Sequence, residues 1–300
     1  MPLVRDSLTS AQKTVLHTLY TVEAETVDSE FERVVGRVEH IDEAEKIYKQ
    51  LRGFSMAGAT GDGGDIDYED PAPIHRVAMA PTVFSKGVKF TPQMKYTDQF
   101  AKVSGFMGQI AGSFVHRKNQ TGTDLLNLGF TSTTMGANSE ELFKATHDMG
   151  GVTFSNLLTG ALSPNSAKTM LIAAGNQKSA QDEPMPYTKS MLLMGPPDLT
   201  PTATEIIKSL LLANTANNNT NEYLRTRLEW FEGHYFTSTT AWYARAMESK
   251  ALGTVFVNQM PFGMVQLPQS EVNANFPWFA LESFVAKWFD AHNVFGSTGL

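Results

Sequence analysis

The chain has 300 residues, 42% hydrophobic and 18% charged, enough for one large domain or two ordinary ones. Its 24 basic and 31 acidic residues leave a net charge of −7, and no Lys/Arg cluster stands out, which argues against a dedicated nucleic-acid binder. The absence of cysteine excludes disulfides, thiolate catalysis and thiolate metal sites.

The opening Met-Pro-Leu-Val-Arg-Asp lacks the apolar core of a signal peptide, and no window approaches 18 uninterrupted apolar residues. The expectation is a soluble chain used in cytoplasm-like conditions. Residues 1–53 read as a helical arm. Thr9 with Gln12 forms a capping-box pattern before Val15, Leu16, Leu19 and Tyr20. A second helix is predicted from about Asp28, with Phe31, Val34, Val35 and Val38 inward. A third is predicted from Asp42, where Glu45 completes a capping box and Ile47, Tyr48 and Leu51 precede Gly53 as the stop. Such short amphipathic pieces cannot bury their apolar faces on one another alone.

Residues 54–74 form a flexible acidic loop rich in Gly, Asp and Pro. Its acids miss EF-hand spacing, and no Gly-Lys-Ser/Thr follows to make a P-loop. Over residues 75–94 the pattern predicts a β-hairpin, with His75, Val77, Met79, Val83 and Phe84 leading to a turn at Ser85-Lys86-Gly87 and Val88 and Phe90 returning. Next comes a rod from Tyr96 to about Lys118. Tyr96, Phe100, Val103, Met107, Ile110 and Phe114 make one helical stripe opposite Asp98, Lys102, Gln109, Ser113 and His116. Gly105, Gly108 and Gly112 within it point to close approach of another backbone, since each costs about 1 kcal/mol against Ala in a helix.

Beyond the rod, Ser139 is expected to cap a short helix to Thr146. Ser163-Pro164 opens a helix to about Gln177, with Ala167, Met170, Leu171 and Ala174 inward. Lys189 to Gly195 reads as a buried strand stopped by Pro196-Pro197. Thr200-Pro201 opens a helix whose core face is Ile206, Ile207, Leu210 and Leu211. After an Asn-rich turn at 214–221, strands are predicted over Glu222–Glu232, Ala241–Met247 and Gly253–Met260. The aromatic segment Phe276–Phe295 is expected to be extended. Both element types are mixed without βαβ alternation, so the fold class is α+β.

No two of the histidines at 17, 40, 75, 116, 147, 234 and 292 are spaced as local metal ligands. His147-Asp148 suggests an oriented general base for a hydrolase, but no nucleophile is signalled beside it, and a turn histidine bonded to backbone is the simpler account. Gly53-Phe54-Ser55-Met56-Ala57 is one residue short of a nucleophile elbow and lies in the wrong context. No catalytic, cofactor-binding or metal residues are assigned, and no cofactor is expected.

The order of parts resembles the major capsid proteins of tailed bacteriophages, in the branch of the Mu-type major head subunit. The matching residues are the rod with Thr123-Asp-Leu-Leu-Asn-Leu-Gly-Phe130, then Glu141-Leu-Phe143, His147 and Asn156, Leu162-Ser163-Pro164, Leu192 to Leu199, and Ala241-Trp242-Tyr243. The resemblance implies an N-terminal arm at 1–53, an extended β-hairpin loop at 54–95 and a peripheral domain with a long spine helix at 96–188. An axial domain at 189–260 and a return to the peripheral domain at 261–300 would complete it. It further implies a non-enzymatic head protein that self-assembles into hexamers and pentamers of an icosahedral shell around double-stranded DNA. The location would be the virion, after assembly in the host bacterial cytoplasm without a membrane. Partners would be a separate scaffolding protein, since 53 residues are too few for a built-in one, a portal protein and a possible cement protein. DNA would be contacted non-specifically. An encapsulin-like nanocompartment shell is the alternative within the fold, and a soluble hydrolase using His147 and Asp148 the alternative outside it. Lys86 shows no residue-by-residue match to the Lys–Asn cross-linking of some relatives.

Overall fold

A computed structural model describes residues 29–60, 64–66, 68–69, 73–91, 93, 100–185, 190–210, 221–248, 252–268 and 275–300. The capping box at Thr9, the apolar face at Val15 to Tyr20, Tyr96, Leu211 and the Asn-rich stretch up to 220 lie outside these residues.

Two sheets carry the architecture. The first has four strands in the order β1 (Val38–His40), β11 (Gly253–Gln266), β12 (Phe276–Asp290) and β4 (Thr82–Phe90). The second has five, in the order β7 (Leu157–Leu158), β13 (Val294–Ser297), β10 (Trp242–Ala246), β8 (Met191–Gly195) and β9 (Leu228–Glu232). The turn Ala291–Asn293 joins β12 of one to β13 of the other, with Asn293 at φ +59°. Among the described residues two small pairs, β2 (Lys46–Leu51) with β3 (Pro73–Met79) and β5 (His147–Asp148) with β6 (Thr153–Phe154), accompany these sheets.

The run Met-Leu-Leu-Met-Gly of β8 is buried throughout, because its sheet is covered on both faces. Met191 and Leu193 face a cluster built from the helices α3 (Pro164–Gly175), α4 (Thr200–Lys208) and α5 (Glu222–Arg225). Leu192 and Met194 face the main core with Phe143, Tyr243 and Val294. Helix α3 begins as its sequence predicts: the Ser163 hydroxyl accepts from the Ser166 N–H, Pro164 follows, and Ala167, Met170, Leu171 and Ala174 are buried.

The long helix α2 (Phe100–Asn127) has 28 residues, roughly 42 Å at 1.5 Å each. It therefore runs past the expected end near Lys118 and takes in most of Gln120–Phe130, which reads as an exit. Gly122 explains why. A Cβ there would lie 2.7 Å from Phe31 Cβ of α1 (Glu30–Val35), so the glycine lets two helices touch rather than ending one.

Five other expectations are overturned. Val38, expected inward on the second arm helix, instead begins strand β1 beyond the end of α1 and is exposed. The third arm helix is instead strand β2, whose exposed Ile47, buried Tyr48 and exposed Leu51 follow its pairing with β3 rather than a helical face. The hairpin tip does not turn. β4 runs unbroken through Ser85-Lys86-Gly87, pairing with β12 from Thr82↔Phe284 to Phe90↔Phe276. Gly87 fits there because a Cβ would sit 2.9 Å from the Trp278 carbonyl. The helix from Ser139 is only a 3-10 turn, Ala137–Ser139, in which Asn138 and Ser139 take φ of 54° and 56°. Finally, Glu222–Glu232 starts as α5, with only Leu228–Glu232 extended; Leu210 of the preceding helix pattern is exposed.

Candidate self-association surface

The surface is built outward from Glu39. Its carboxylate receives Lys46 Nζ at 2.7 Å, Arg37 Nε at 2.7 Å and the Tyr48 hydroxyl. Burial alone would raise this carboxyl, but the three donors hold it down at about 2. Tyr48, its own hydroxyl pushed up to about 12 by burial and Glu39, stacks on Phe289 with ring centroids 5.3 Å apart. The base of the 54–72 loop is thereby clamped to the end of β12.

Past Leu51 the chain has no ladder to join. Residues 52–60 carry no regular structure and are exposed throughout. Phe54 is 60% exposed, Met56 77%, Ile66 67% and Tyr68 85%. The two limbs of the loop touch where the Ser55 N–H and hydroxyl both donate to Glu69. Single exposed apolar residues are ordinary, whereas four large ones lie exposed within this one stretch. Covering each contributes about 1.5–3 kcal/mol. Edge strand β4 lies at the margin of its sheet with Lys86 and Lys89 exposed, a pattern that discourages indiscriminate strand pairing.

The sequence-nominated chemistry is not assembled. His147 is buried, its Nε2 3.2 Å from the Leu142 carbonyl and 3.1 Å from Asn156 Oδ1, its ring stacked on Phe154 at 5.0 Å. Burial holds it below the ordinary imidazole range. Asp148 points to solvent and accepts the N–H groups of Gly150 and Gly151 at 2.9 Å, which lower its carboxyl. Neighbouring strand residues face opposite ways: His147 is a core histidine bonded to the Leu142 backbone carbonyl, the simpler account, and Asp148 caps its turn. Ser55 pairs with Glu69 rather than sitting in an elbow. Lys86, expected at a hairpin tip, lies mid-strand opposite Ala280. Among the described residues no group of three His, Asp or Glu is placed to hold a metal ion, and no helix is long and apolar enough to cross a membrane.

Sequence reading missed three polar contacts that set the frame. Arg245 is buried and its Nε and Nη2 donate to the Arg33 carbonyl at 2.8 and 2.6 Å, satisfying the C-terminus of α1. Burial pulls its guanidinium down to about 10. Glu30 opens the same helix by accepting from the His234 N–H at 2.9 Å. Lys118 of α2 pairs with Glu282 of β12 at 2.7 Å, and the Glu282 side chain is only 1% exposed. Glu282 could have been found: Trp278, Ala280, Phe284, Ala286 and Trp288 share its face at period two, leaving it as the lone acid in an apolar row.

No protein-family model matches the chain, and no curated protein matches it in sequence. Several solved structures are similar in fold. The capsid of an empty GTA particle aligns with a TM-score of 0.59 at 8% identity, over 90% of this chain and 90% of that one. The mature capsid of bacteriophage PhiM1 aligns at 0.55 and 11%, over 90% and 87%. A virus-like particle from Pyrococcus furiosus aligns at 0.53 and 10%, over 95% and 98%. At such identities the likeness is one of architecture, and it covers nearly the whole chain: this is the mixed α+β fold found in phage capsid proteins.

Proposed function

We propose that the chain is a major capsid protein, a non-enzymatic subunit that assembles with copies of itself into the icosahedral shell of a tailed-phage head, enclosing double-stranded DNA. The supporting observation is the apolar loop bearing Phe54, Met56, Ile66 and Tyr68, held on a rigid base yet uncovered by its own chain. A closed shell repeats heterologous contacts, so each subunit needs a projecting piece whose proper environment lies on a neighbour. In this reading 1–53 is the arm and 54–95 the extended loop. Residues 96–188 carry the spine helix of the peripheral domain, 189–260 the axial domain around β8, β9 and β10, and 261–300 the return. The Mu-type branch, a separate scaffold, a portal, a cement protein and assembly in the host cytoplasm belong to the same proposal. A cellular compartment shell is the second reading, because a shell fold does not by itself fix what the shell encloses.

The test is a triple variant, Phe54→Ser, Met56→Ser and Tyr68→Ser. Its circular dichroism should match the parent while sedimentation shows small species and no shells; shells of normal size would reject the loop's role. Nuclease-protected DNA in purified particles supports the phage reading, and an enzyme cargo identified by mass spectrometry supports the compartment.

A further inference from the structure

Strand β3 carries the chain back from the exposed loop, and His75 sits in it with its side chain buried. Its Nδ1 lies 2.6 Å from Asn138 Nδ2. The same amide nitrogen faces the Ile74 carbonyl at 3.4 Å, which fixes nitrogen rather than oxygen toward the imidazole. His75 Nδ1 is therefore the acceptor, and the ring is neutral with its proton on Nε2. Asn138 and the next residue, Ser139, both hold left-handed backbone at φ 54° and 56°. Asn adopts that conformation more readily than most residues, but for Ser139 it is costly and persists only where surrounding contacts enforce it.

We propose that the His75–Asn138 hydrogen bond is a proton-labile latch that pins β3, and with it the root of the exposed loop, to the 137–139 turn. A proton on Nδ1 replaces the acceptor by a second N–H. Donor then faces donor, the bond is lost, and a charge is left inside the fold.

The charged surroundings decide the direction. Burial dominates and holds His75 below the ordinary imidazole range, against Glu140, Asp290 from β12 and Asp148, which favour the imidazolium. The Asn138 bond would favour it too only with an oxygen toward the ring, and the amide nitrogen placed there donates to the neutral form instead. From β12, Lys287 is turned to the Ala78 carbonyl at 3.1 Å, and from β2 the residue opposite His75 is the uncharged Gln50. For an imidazole lowered in the closed state, opening takes up a proton. The latch thus holds at neutral pH and loosens as pH falls through the ordinary imidazole value.

Hydrogen–deuterium exchange of the full chain at pH 7.5 and 5.0, scaled for the intrinsic pH dependence of amide exchange, reads this directly. Peptides covering 73–79 and 136–140 should exchange about tenfold faster at pH 5.0, with β8 unchanged. His75→Gln, which cannot charge, should remove the difference. Should that variant fail to fold, Asn138→Asp decides: its carboxylate accepts from the imidazolium, so protection should rise in acid instead. Equal scaled exchange at both pH values in the parent overturns the latch. So does a pH effect that survives in His75→Gln, or one that keeps its sign in Asn138→Asp. The readout is local and does not depend on shell formation.

Discussion

Lys118 and Glu282 show how much one pair of side chains decides. The pair bridges α2 and β12 between two apolar clusters, one with Phe114, Trp278 and Ala280, the other with Phe31, Phe256 and Phe284. Burial pushes the Glu282 carboxyl above its ordinary value against the pull of Lys118, and its Oε2 has no hydrogen-bond partner among the described residues. A carboxyl raised in the folded state contributes stability below its unfolded value and loses it as pH rises through the folded one. Lys118→Met removes the pull and leaves the charge uncompensated, so the variant should lose about 3–5 kcal/mol at pH 7. Most of that loss should return near pH 4, where the acid is protonated in the folded state and largely so in the unfolded one. Denaturant midpoints at the two pH values check it; an equal loss at both contradicts the assignment. At this scale the sequence was readable only in part. Ser163 capped its helix as its neighbours required, whereas His147 and Asp148 suggested a dyad because adjacency in sequence says nothing of which face each residue takes.

Among the elements, those with a strong local signal formed where expected. The continuous apolar run of β8, the Ser-Pro start of α3 and the aromatic β12 each carry their reason within themselves. The misreadings share a cause: a partner distant in sequence overrode local preference. Lys46–Leu51 became a strand because β3 was there to pair with, and Ser85-Lys86-Gly87 stayed extended because β12 lay beside it. The continuation of α2 past Lys118 rests on Gly122 against Phe31. Intrinsic preference predicts that Gly122→Ala stabilises the helix by about 1 kcal/mol. With a Cβ 2.7 Å from Phe31 Cβ, the change should instead lower the unfolding midpoint and leave helical content unchanged. A raised midpoint would show that the two helices do not meet as described.

For the molecule as a whole, the α+β class was legible from sequence, because helix and strand signals are mixed along the chain without βαβ alternation. The pairing of β4 with β12 and the passage of the chain from one sheet to the other at Ala291–Asn293 were not, since both depend on contacts between residues far apart in sequence. The same limit applies to the loop at 54–72. Its composition reads as a solvated acidic segment, yet among the described residues Phe54, Met56 and Tyr68 are large, apolar and left exposed by their own chain. Negative-stain electron microscopy of the purified protein, with and without a co-expressed scaffold, bears most directly on this. Closed shells of uniform diameter are the expected result; a monodisperse monomer under both conditions would contradict the account.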